Sequence, residues 1–320
     1  MFTTSEYRIW AMSHGTALRV LSWNVQGAVP PNGSIERIQN QVTYLEDDAG
    51  LPDIVLLNEV TTIQRERWRD LLTDIGYREI VDTLEWATEL RESTVPPHQD
   101  YNHVNGNLIA VHETSSASNL ERVPASIRDG PWEGADLKDW DTNFPEKILN
   151  ANVSLGDTAL ELWNVRAVPG RMHGEEKIKI LENAYNRIVK GNSMPCILTG
   201  DFNSPNRELA DGTIIPWRYE DEGEIAERWV AAEMNILQGL EDKGMVDVFR
   251  EQHGYCDLDI LDVSHATQTE DPLAVPPAEV DGKRFDHMIA SVSLNPQECW
   301  YEHEGFSCSD HVPLVAEFSP

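Results

Sequence analysis

Lysine, cysteine and long apolar runs are all scarce in this 320-residue sequence. No apolar run approaches the roughly 20 residues that span a bilayer, which argues against a membrane helix. The four cysteines, Cys196, Cys256, Cys299 and Cys308, show no CxxC pair and no framework spacing. Unpaired thiols of this kind fit a reducing compartment, so we expect a cytoplasmic protein.

Positive charge is also in short supply. The chain has 55 acidic and 25 basic residues, a formal net charge of −30, and only seven of the bases are lysines. Such a surface repels polyanions at low ionic strength. In molar salt the Debye length falls to about 3 Å and this repulsion is screened. One hypothesis is therefore a protein from a salt-rich cell, and the alternative is an ordinary acidic enzyme that does not act on nucleic acid.

The apolar content, by contrast, supports a sizeable core, with 40% hydrophobic residues and ten tryptophans. Helix and strand signals alternate along the chain without a linker, which predicts an α/β or α+β protein with sheets covered by helices. Residues 1–17 lack the charged start and apolar stretch of a signal peptide. We expect them to form a flexible leader before a single domain over 18–320.

Buried strands are predicted where apolar runs are bounded by turn residues. They lie at 18–25, 52–60, 105–112, 147–155, 159–165, 196–199, 284–292, 297–303 and 311–318. Helical periodicity predicts four helices, the first capped by Ser34 and the third ended by Gly191. These helices cover 35–45, 62–75, 175–190 and 224–241. Two weakly patterned segments, 113–146 and 204–223, are typical of functional or mobile loops.

Polar side chains stand where the apolar runs of six predicted strands begin or end. They are Asn24, Glu59, Asn164 with Arg166, Asp201 with Asn203, Asp286, and Asp310 with His311. Each has a local explanation: Asp286 could pair with Arg284, and His311 could be a core histidine. Taken together they are harder to explain locally, because burying many acids without partners is costly. We therefore expect a cation among them.

The residue types indicate a specific chemistry. Carboxylate and amide oxygens without cysteine ligands suit Mg²⁺ or Mn²⁺ rather than Zn²⁺. A histidine supported by a carboxylate makes a general base, and Asp286 and His311 could fill these roles if the fold brings them together. An acid and an amide at a strand end, as in Asp201 and Asn203, can aim a water at phosphorus. The sequence thus predicts metal-assisted phosphoester hydrolysis.

The order of these motifs resembles the endonuclease/exonuclease/phosphatase superfamily, which shares the deoxyribonuclease I fold, over about residues 18–318. The segments that carry the resemblance are WNVQG, NEV, NVRAVPG, TGDFNSP, FDHMIAS and SDHVPL. The segment GMVDVFREQHGY at 244–255 is similar to the exonuclease III and abasic-endonuclease branch. The resemblance implies a four-layer sandwich of two mixed β-sheets flanked by helices, with the active site at one end.

The resemblance also implies a metal site. Glu59 would hold the essential Mg²⁺ or Mn²⁺ ion, with Asn24 nearby, and Asp310 lies at a position implicated in metal binding.

The same resemblance implies the catalytic roles. Asp201 and Asn203 would orient the attacking water and contact the phosphate, and Asn164 would contact the substrate. Asp286 would support His311, the residue that handles the proton.

The sequence departs from the superfamily pattern at three places. Arg166 stands where many members have histidine or tyrosine. Its guanidinium can grip a phosphate with two donors but cannot pass a proton, so we expect an electrostatic clamp, the alternative being an ion pair with a neighbouring acid. Gln26 stands where the abasic-endonuclease branch often has an acid. The stretch 260–268 has no aromatic residue except His265, which argues against abasic-site specificity.

The leading functional hypothesis is a metal-dependent nuclease, most simply a DNA endo- or exonuclease. The alternatives are a phosphatase or phosphodiesterase of a small phosphorylated metabolite and a non-catalytic scaffold of the same fold. The visible basic cluster, Arg65, Arg67 and Arg69, could contact nucleic acid or be a solvated helix face. Nothing in the sequence indicates a membrane or an obligate protein partner.

Overall fold

The computed structural model describes residues 17–27, 34–85, 87, 104–123, 142–191, 194–255, 262–266 and 282–319. The predicted leader, apart from residue 17, lies outside the described residues. The prediction of a single domain over 18–320 stays a prediction.

The first sheet has six strands in the order β15-β16-β1-β2-β4-β3. Its strands are β1 (Leu18–Asn24), β2 (Ile54–Thr61), β3 (Tyr77–Asp82), β4 (Asn105–His112), β15 (Pro296–Tyr301) and β16 (Leu314–Phe318). The neighbours β1 and β2 are parallel, and the other pairs are antiparallel, so the sheet is mixed.

The second sheet repeats this plan with the order β11-β14-β8-β7-β6-β5. Its strands are β5 (Ala117–Arg122), β6 (Ile148–Leu155), β7 (Thr158–Val165), β8 (Cys196–Asp201), β11 (Met245–Asp247) and β14 (Asp286–Ser291). Here β7 and β8 are the parallel pair. Two small hairpins pair β9 (Arg207–Glu208) with β10 (Ile214–Ile215) and β12 (His265–Ala266) with β13 (Gly282–Lys283).

Helices cover the outer faces of both sheets. They are α1 (Ile35–Asp47), α2 (Arg65–Asp74), α3 (Gly170–Lys190) and α4 (Glu224–Leu237), whereas α5 (Val248–His253) packs into the core between the sheets through Val248 and Phe249. The predicted caps are present: the Ser34 hydroxyl accepts the amide of Arg37, and Gly191 ends α3. Among the described residues, no helix is both long and apolar enough to cross a membrane.

Side-chain alternation along the strands builds three apolar layers. In β1, Leu18 and Val20 face the core between the sheets, while Leu21 and Trp23 face the outer core under α1 and α2. A third cluster lies between the second sheet and α3 and α4. Both faces of the central strands are therefore buried, which explains their continuous apolar runs. The predicted four-layer sandwich of two mixed sheets is confirmed.

The sequence missed the edges of this sandwich. β3 was not predicted, and β5 lies within the segment 113–146 that was predicted to be a loop. The hairpin of β9 and β10 likewise gives structure to part of 204–223. Each of these elements is short or only half-buried, so its apolar pattern is weak.

Candidate active site

The polar residues at the strand ends meet at one edge of the sandwich. This happens because β1 and β2, and likewise β7 and β8, are parallel neighbours whose carboxyl ends lie at the same edge. Asn24 ends β1 in register with Asn58 of β2, and Asn164 of β7 pairs with Thr199 of β8. The antiparallel pairing of β8 and β14 then sets Asp201 directly opposite Asp286.

Glu59 reaches this edge because β2 is irregular at that residue. The β2–β4 register shifts between Leu57 and Val60, and Glu59 has a φ of +62°. A bulge of this kind changes where a side chain points. Gly27 lies against it, since a Cβ there would stand 1.9 Å from the Glu59 carbonyl oxygen. Positive φ in a non-glycine residue is strained and is often found at functional sites.

Gly200 gives Asp201 its position at the end of β8. Its φ is +135°, and a Cβ would lie 2.1 Å from the Val165 carbonyl oxygen. The next residue, Asp201, donates its backbone N–H to Asn58 Oδ1 at 2.9 Å. The glycine in GDFN is therefore required for backbone packing as well as for the turn.

Three side chains form a connected polar cluster with Asp201. Asn24 Nδ2 donates to Asp201 Oδ2 at 3.0 Å and to Glu59 Oε1 at 3.3 Å. Arg166 forms an ion pair with Glu59, and its Nε lies 3.8 Å from Asp201 Oδ2. Arg166 is thus in contact with the acids, as the ion-pair alternative required.

Asp286 and His311 are joined as the sequence suggested they could be. His311 Nδ1 and Asp286 Oδ2 lie 2.7 Å apart, and both residues are buried. The alternative partner of Asp286, Arg284, instead binds Glu208 and Asp247. Asp286 Oδ1 has no hydrogen-bond partner among the described residues.

The carboxylates keep His311 in its charged form. Burial alone would lower the pKa of His311, but Asp286, Asp201 and Asp310 outweigh it and raise the pKa to about 10. Asp201 shifts toward neutrality, because burial raises its pKa to about 6 even though His311 opposes the shift. The site therefore pairs a protonated imidazolium with a carboxylate that changes charge just below neutral pH.

In metal-free protein, we expect the His311 imidazole to stay protonated through neutral pH and to titrate near pH 10. Long-range ¹H–¹⁵N spectra of ¹⁵N-histidine-labelled protein in EDTA would measure this directly. Asp286→Asn removes the nearest negative charge and should lower the His311 pKa. A His311 imidazole that is already neutral at pH 7 in the native protein would contradict the expectation.

Asp310 and His265 complete the outer part of the site. Burial raises the pKa of Asp310, and the nearby Glu59 carboxylate adds to this effect. His265 Nε2 lies 4.0 Å from Asp310 Oδ2, and its ring centroid is 4.5 Å from that of His311. Burial and then the charge on His311 lower the pKa of His265 to about 3, so His265 is neutral.

Asn203 lies at the cluster with a φ of +49°. Its Nδ2 donates to Asp201 Oδ2 at 3.0 Å and to the Ala167 carbonyl at 2.9 Å, so its amide is aimed beside the acid. The segment NVRAVPG thus contributes a backbone contact as well as Arg166.

Asn164 does not lie where a substrate could reach it. It is completely buried, and its Nδ2 donates to the carbonyls of Leu57 and Leu108 across the two sheets. Its Oδ1 accepts from Asn58 Nδ2 at 2.6 Å. The prediction that Asn164 contacts the substrate is not supported by this position, because every group of its amide is used inside the protein.

Asn58 is the residue that the sequence reasoning overlooked. It binds Asn107 and Asn164 through Nδ2 and supports the Asp201 amide through Oδ1. The available signal was an amide in the middle of the apolar run before Glu59. A buried amide in a central strand needs internal partners, and here these partners join the two sheets beneath the acids.

The donor set fits a hard divalent cation. Glu59, Asp201, Asp286 and Asp310 outnumber the cations Arg166 and His311, and all but Asp310 are buried. Ligand atoms of Asp201, Asp286 and His311 also lie within 4.8 Å of one another. A buried excess of carboxylate oxygens favours Mg²⁺ or Mn²⁺. Arg166 forms an ion pair with Glu59 in the structure, so a metal ion that binds Glu59 would compete with this arginine.

Comparisons with known proteins agree with this architecture. The profile described as the Endonuclease/Exonuclease/phosphatase family matches residues 21–311. No curated protein sequence matches the chain.

Solved structures are similar throughout the chain at low sequence identity. An AP endonuclease from Archaeoglobus fulgidus is 18% identical with a TM-score of 0.61, covering 95% of this chain and 100% of that one. A humanized D. rerio TDP2 is 18% identical with a TM-score of 0.60, covering 96% and 100%. D. rerio TDP2 complexed with a single-strand DNA product is 17% identical with a TM-score of 0.58, covering 96% and 100%. At these identities the likeness concerns the fold.

Proposed function

The chain belongs to the endonuclease/exonuclease/phosphatase family, and on that premise we propose that it is a divalent-metal-dependent phosphodiesterase that hydrolyses nucleic acid, most simply DNA. One observation carries the proposal: buried acids from β2, β8 and β14 converge with a carboxylate-bound histidine at one edge of the sandwich. Such a collection of charge is costly without a function that uses it.

Glu59 is the residue we assign to the metal, with Asn24 and Asp310 beside it. When bound, Mg²⁺ or Mn²⁺ supplies charge stabilisation at the phosphate oxygens. The bulged, positive-φ backbone fixes the Glu59 carboxylate at the strand end. The contact from Asn24 Nδ2 to Glu59 holds that carboxylate from the β1 side.

The attacking water is handled by Asp201 and Asn203 in this proposal. Asp201 is ionised above about pH 6 and can accept a proton from water. Asn203 Nδ2 binds the same carboxylate and orients it. His311, kept protonated by Asp286, donates to a phosphate oxygen and stabilises the charge that develops there. The water oxygen bonds to phosphorus as the bond to the leaving oxygen breaks, and the leaving oxygen takes its proton from solvent.

Arg166 has a double role, as a counter-ion of the acids and as a phosphate contact. Its ion pair with Glu59 neutralises the acid that we assign to the metal. A guanidinium can also bind a phosphate through two N–H donors. Because one guanidinium cannot serve both groups fully, Arg166 would compete with a metal ion for the Glu59 carboxylate.

Removing the Arg166 charge should therefore strengthen metal binding. We expect Arg166→Met to lower the Kd for Mn²⁺ by about tenfold, a typical size for coupling between neighbouring sites. Calorimetric titration of metal-free protein measures this without any substrate. Arg78→Met, which breaks an ion pair with Glu113 on the surface, is the matched control, and an unchanged Kd in Arg166→Met would contradict the competition.

The charge of the protein bears on which phosphoester it hydrolyses. Arg65 and Arg69 of the basic cluster both bind Asp82 at 3.0 Å, so much of their charge is neutralised locally. The net charge of −30 favours a small phosphoester at low salt, and this is the second candidate. The single-strand DNA product in the D. rerio TDP2 structure supports nucleic acid as the substrate.

A substrate panel separates the two candidates. Plasmid, single-stranded, abasic-site and RNA substrates would be incubated beside bis-p-nitrophenyl phosphate, at low and molar KCl, with Mg²⁺, Mn²⁺ or EDTA. Metal-dependent cleavage of a polymer supports the nuclease. Hydrolysis of the small ester alone favours the metabolite enzyme, and no hydrolysis of any substrate favours a scaffold.

A further inference from the structure

Beside the acids lies an aromatic cleft of about 370 Å³ that the mechanism above does not use. Its walls include Asn203, Trp217, Arg218, Trp229 and Phe285. Its volume is within the roughly 300–1,000 Å³ of pockets that hold small organic groups. The cleft is continuous with the site, since Asn203 lines it and Phe285 directly precedes Asp286.

The wall of the cleft holds the backbone of Asn203. The Asn203 carbonyl accepts Trp217 Nε1 at 3.0 Å and Lys177 Nζ at 2.8 Å. Two donors on one carbonyl fix the strained backbone from which the Asn203 amide reaches Asp201. The cleft and the catalytic amide therefore form one hydrogen-bonded unit.

Glu233 binds both tryptophans and Lys177 behind the wall of the cleft. It is fully buried and accepts Trp229 Nε1 at 2.6 Å, Lys177 Nζ at 2.8 Å and the Trp217 amide at 2.9 Å. Trp229 also packs directly on α3, because a Cβ at Gly170 would stand 2.0 Å from its ring. The cleft is preformed, so a ligand need not order it on binding.

The chemistry of the lining selects a flat aromatic group next to a negative charge. Trp217 is half-buried and offers ring surface to the cleft. The Arg218 guanidinium lies 4.9 Å from the Trp229 ring centroid and 3.4 Å from Asp221, an exposed pair that a phosphate can replace, and Arg171 also lines the cleft. These cations stand out locally in a chain with a net charge of −30. Nucleobases stack on aromatic side chains, and arginines bind the phosphates that flank them.

We propose that this cleft binds the base of the nucleotide next to the scissile phosphate, stacked against Trp217, with Arg218 on the neighbouring phosphate. The inference rests on the proposed function and deepens it by naming the substrate class. A base inside a duplex is paired and stacked, so it must be extruded before it can enter. The enzyme therefore prefers single-stranded or frayed ends to duplex interiors.

The test compares oligothymidylate with the same sugar–phosphate backbone in which every base is replaced by tetrahydrofuran. Stacking on one aromatic residue is worth about 1–3 kcal/mol, so the native enzyme should favour oligothymidylate in kcat/KM by about five- to 150-fold. Trp217→Leu should abolish this ratio. Trp217→Phe should keep it, although it too loses the indole bond to Asn203.

This pair of variants separates binding from positioning. If Trp217 only holds Asn203 in place, both variants lose activity on both substrates and the ratio is unchanged, which overturns the proposal. Arg218 makes no hydrogen bond to Asn203 among the described residues, and Arg218→Ala should weaken oligothymidylate binding. Tyr219→Leu is the matched control for Trp217→Leu, because Tyr219 is an aromatic neighbour that is 59% exposed and does not line the cleft.

Binding without turnover distinguishes this inference from the proposed function. Fluorescence anisotropy of both oligomers with His311→Ala in Ca²⁺ measures the base preference directly. If oligothymidylate binds preferentially but the native enzyme does not cleave it, the base-binding role of the cleft is supported and the nuclease function is contradicted. If both oligomers bind equally and are cleaved equally, the nuclease function is supported and the base-binding role of the cleft is contradicted.

Discussion

Replacing His311 with alanine should lower kcat by about 10²- to 10⁴-fold, the range that a positioned proton donor or acceptor contributes. The imidazolium is buried, bound to Asp286 at 2.7 Å, and held in its charged form by three carboxylates. Arg166, the other cation in this cluster, contacts Glu59 and Asp201 and not Asp286. The loss should appear in kcat on every substrate that the enzyme cleaves, because it concerns the phosphate and not the base.

His253→Ala is the matched control for this loss. His253 is an exposed histidine on α5 that contacts the Cys299 carbonyl, so the variant should retain native kcat. The comparison also excludes a contaminating nuclease, which would survive both substitutions. A His311→Ala enzyme within a few-fold of native would show that the histidine takes no part in the chemistry.

The second large effect concerns stability and lies just beneath the site. Replacing Arg284 with methionine should lower the free energy of unfolding by about 3–5 kcal/mol, the usual cost of removing one partner from a buried ion pair. Arg284 Nη1 donates to Glu208 at 2.7 Å, Nη2 donates to both oxygens of Asp247, and Nε donates to Tyr301 Oη. Methionine would leave two buried carboxylates short of a counter-charge.

Arg284 also supports the catalytic histidine indirectly. Tyr301 Oη donates to the Asp286 carbonyl at 2.6 Å, so the network continues to the acid that binds His311. Urea unfolding followed by circular dichroism would measure the loss. Arg228→Met is the control, because its guanidinium is 38% exposed beside Glu175 and Glu182 and such pairs contribute little. Equal destabilisation by both variants would contradict the assignment.

The sequence predicted the architecture well where apolar runs are long. The strands that carry Asn24, Glu59 and Asp201 are buried on both faces, and a strand of that kind leaves an unbroken apolar signature. The polar residues at the ends of these strands are therefore easy to recognise beside the apolar runs. β3 and β5 lie at sheet edges, and only two of the six residues in each strand are buried, so their residues resemble those of loops.

Contacts between distant segments could be predicted only in part. Residue types and family resemblance suggested that Asp286 meets His311, and the geometry agrees. For Arg166 the sequence allows a phosphate clamp or an ion pair with a neighbouring acid, because it does not reveal which acid an arginine will face; in the structure Arg166 pairs with Glu59. The resemblance implies a substrate contact for Asn164, whereas its amide is buried against β2 and β4 of the first sheet, a contact that the sequence does not reveal.

The aromatic cleft had no signal in the sequence at all. Trp217 comes from the segment after β10 and Trp229 from α4, and Glu233 accepts a hydrogen bond from the Trp217 backbone amide and from the Trp229 indole. In sequence each tryptophan looks like an ordinary core residue. Buried acids such as Glu233 become informative only when their partners are known.

The most direct test of the metal-centred account is a calorimetric titration of Mn²⁺ into metal-free protein, in the native chain and in Glu59→Gln. The glutamine variant keeps the size of the side chain and removes the charge assigned to the ion. We expect saturable binding to the native protein, weakened by at least about tenfold in Glu59→Gln. Binding that is absent from the native chain, or unchanged in the variant, would contradict a metal-dependent phosphodiesterase built on Glu59.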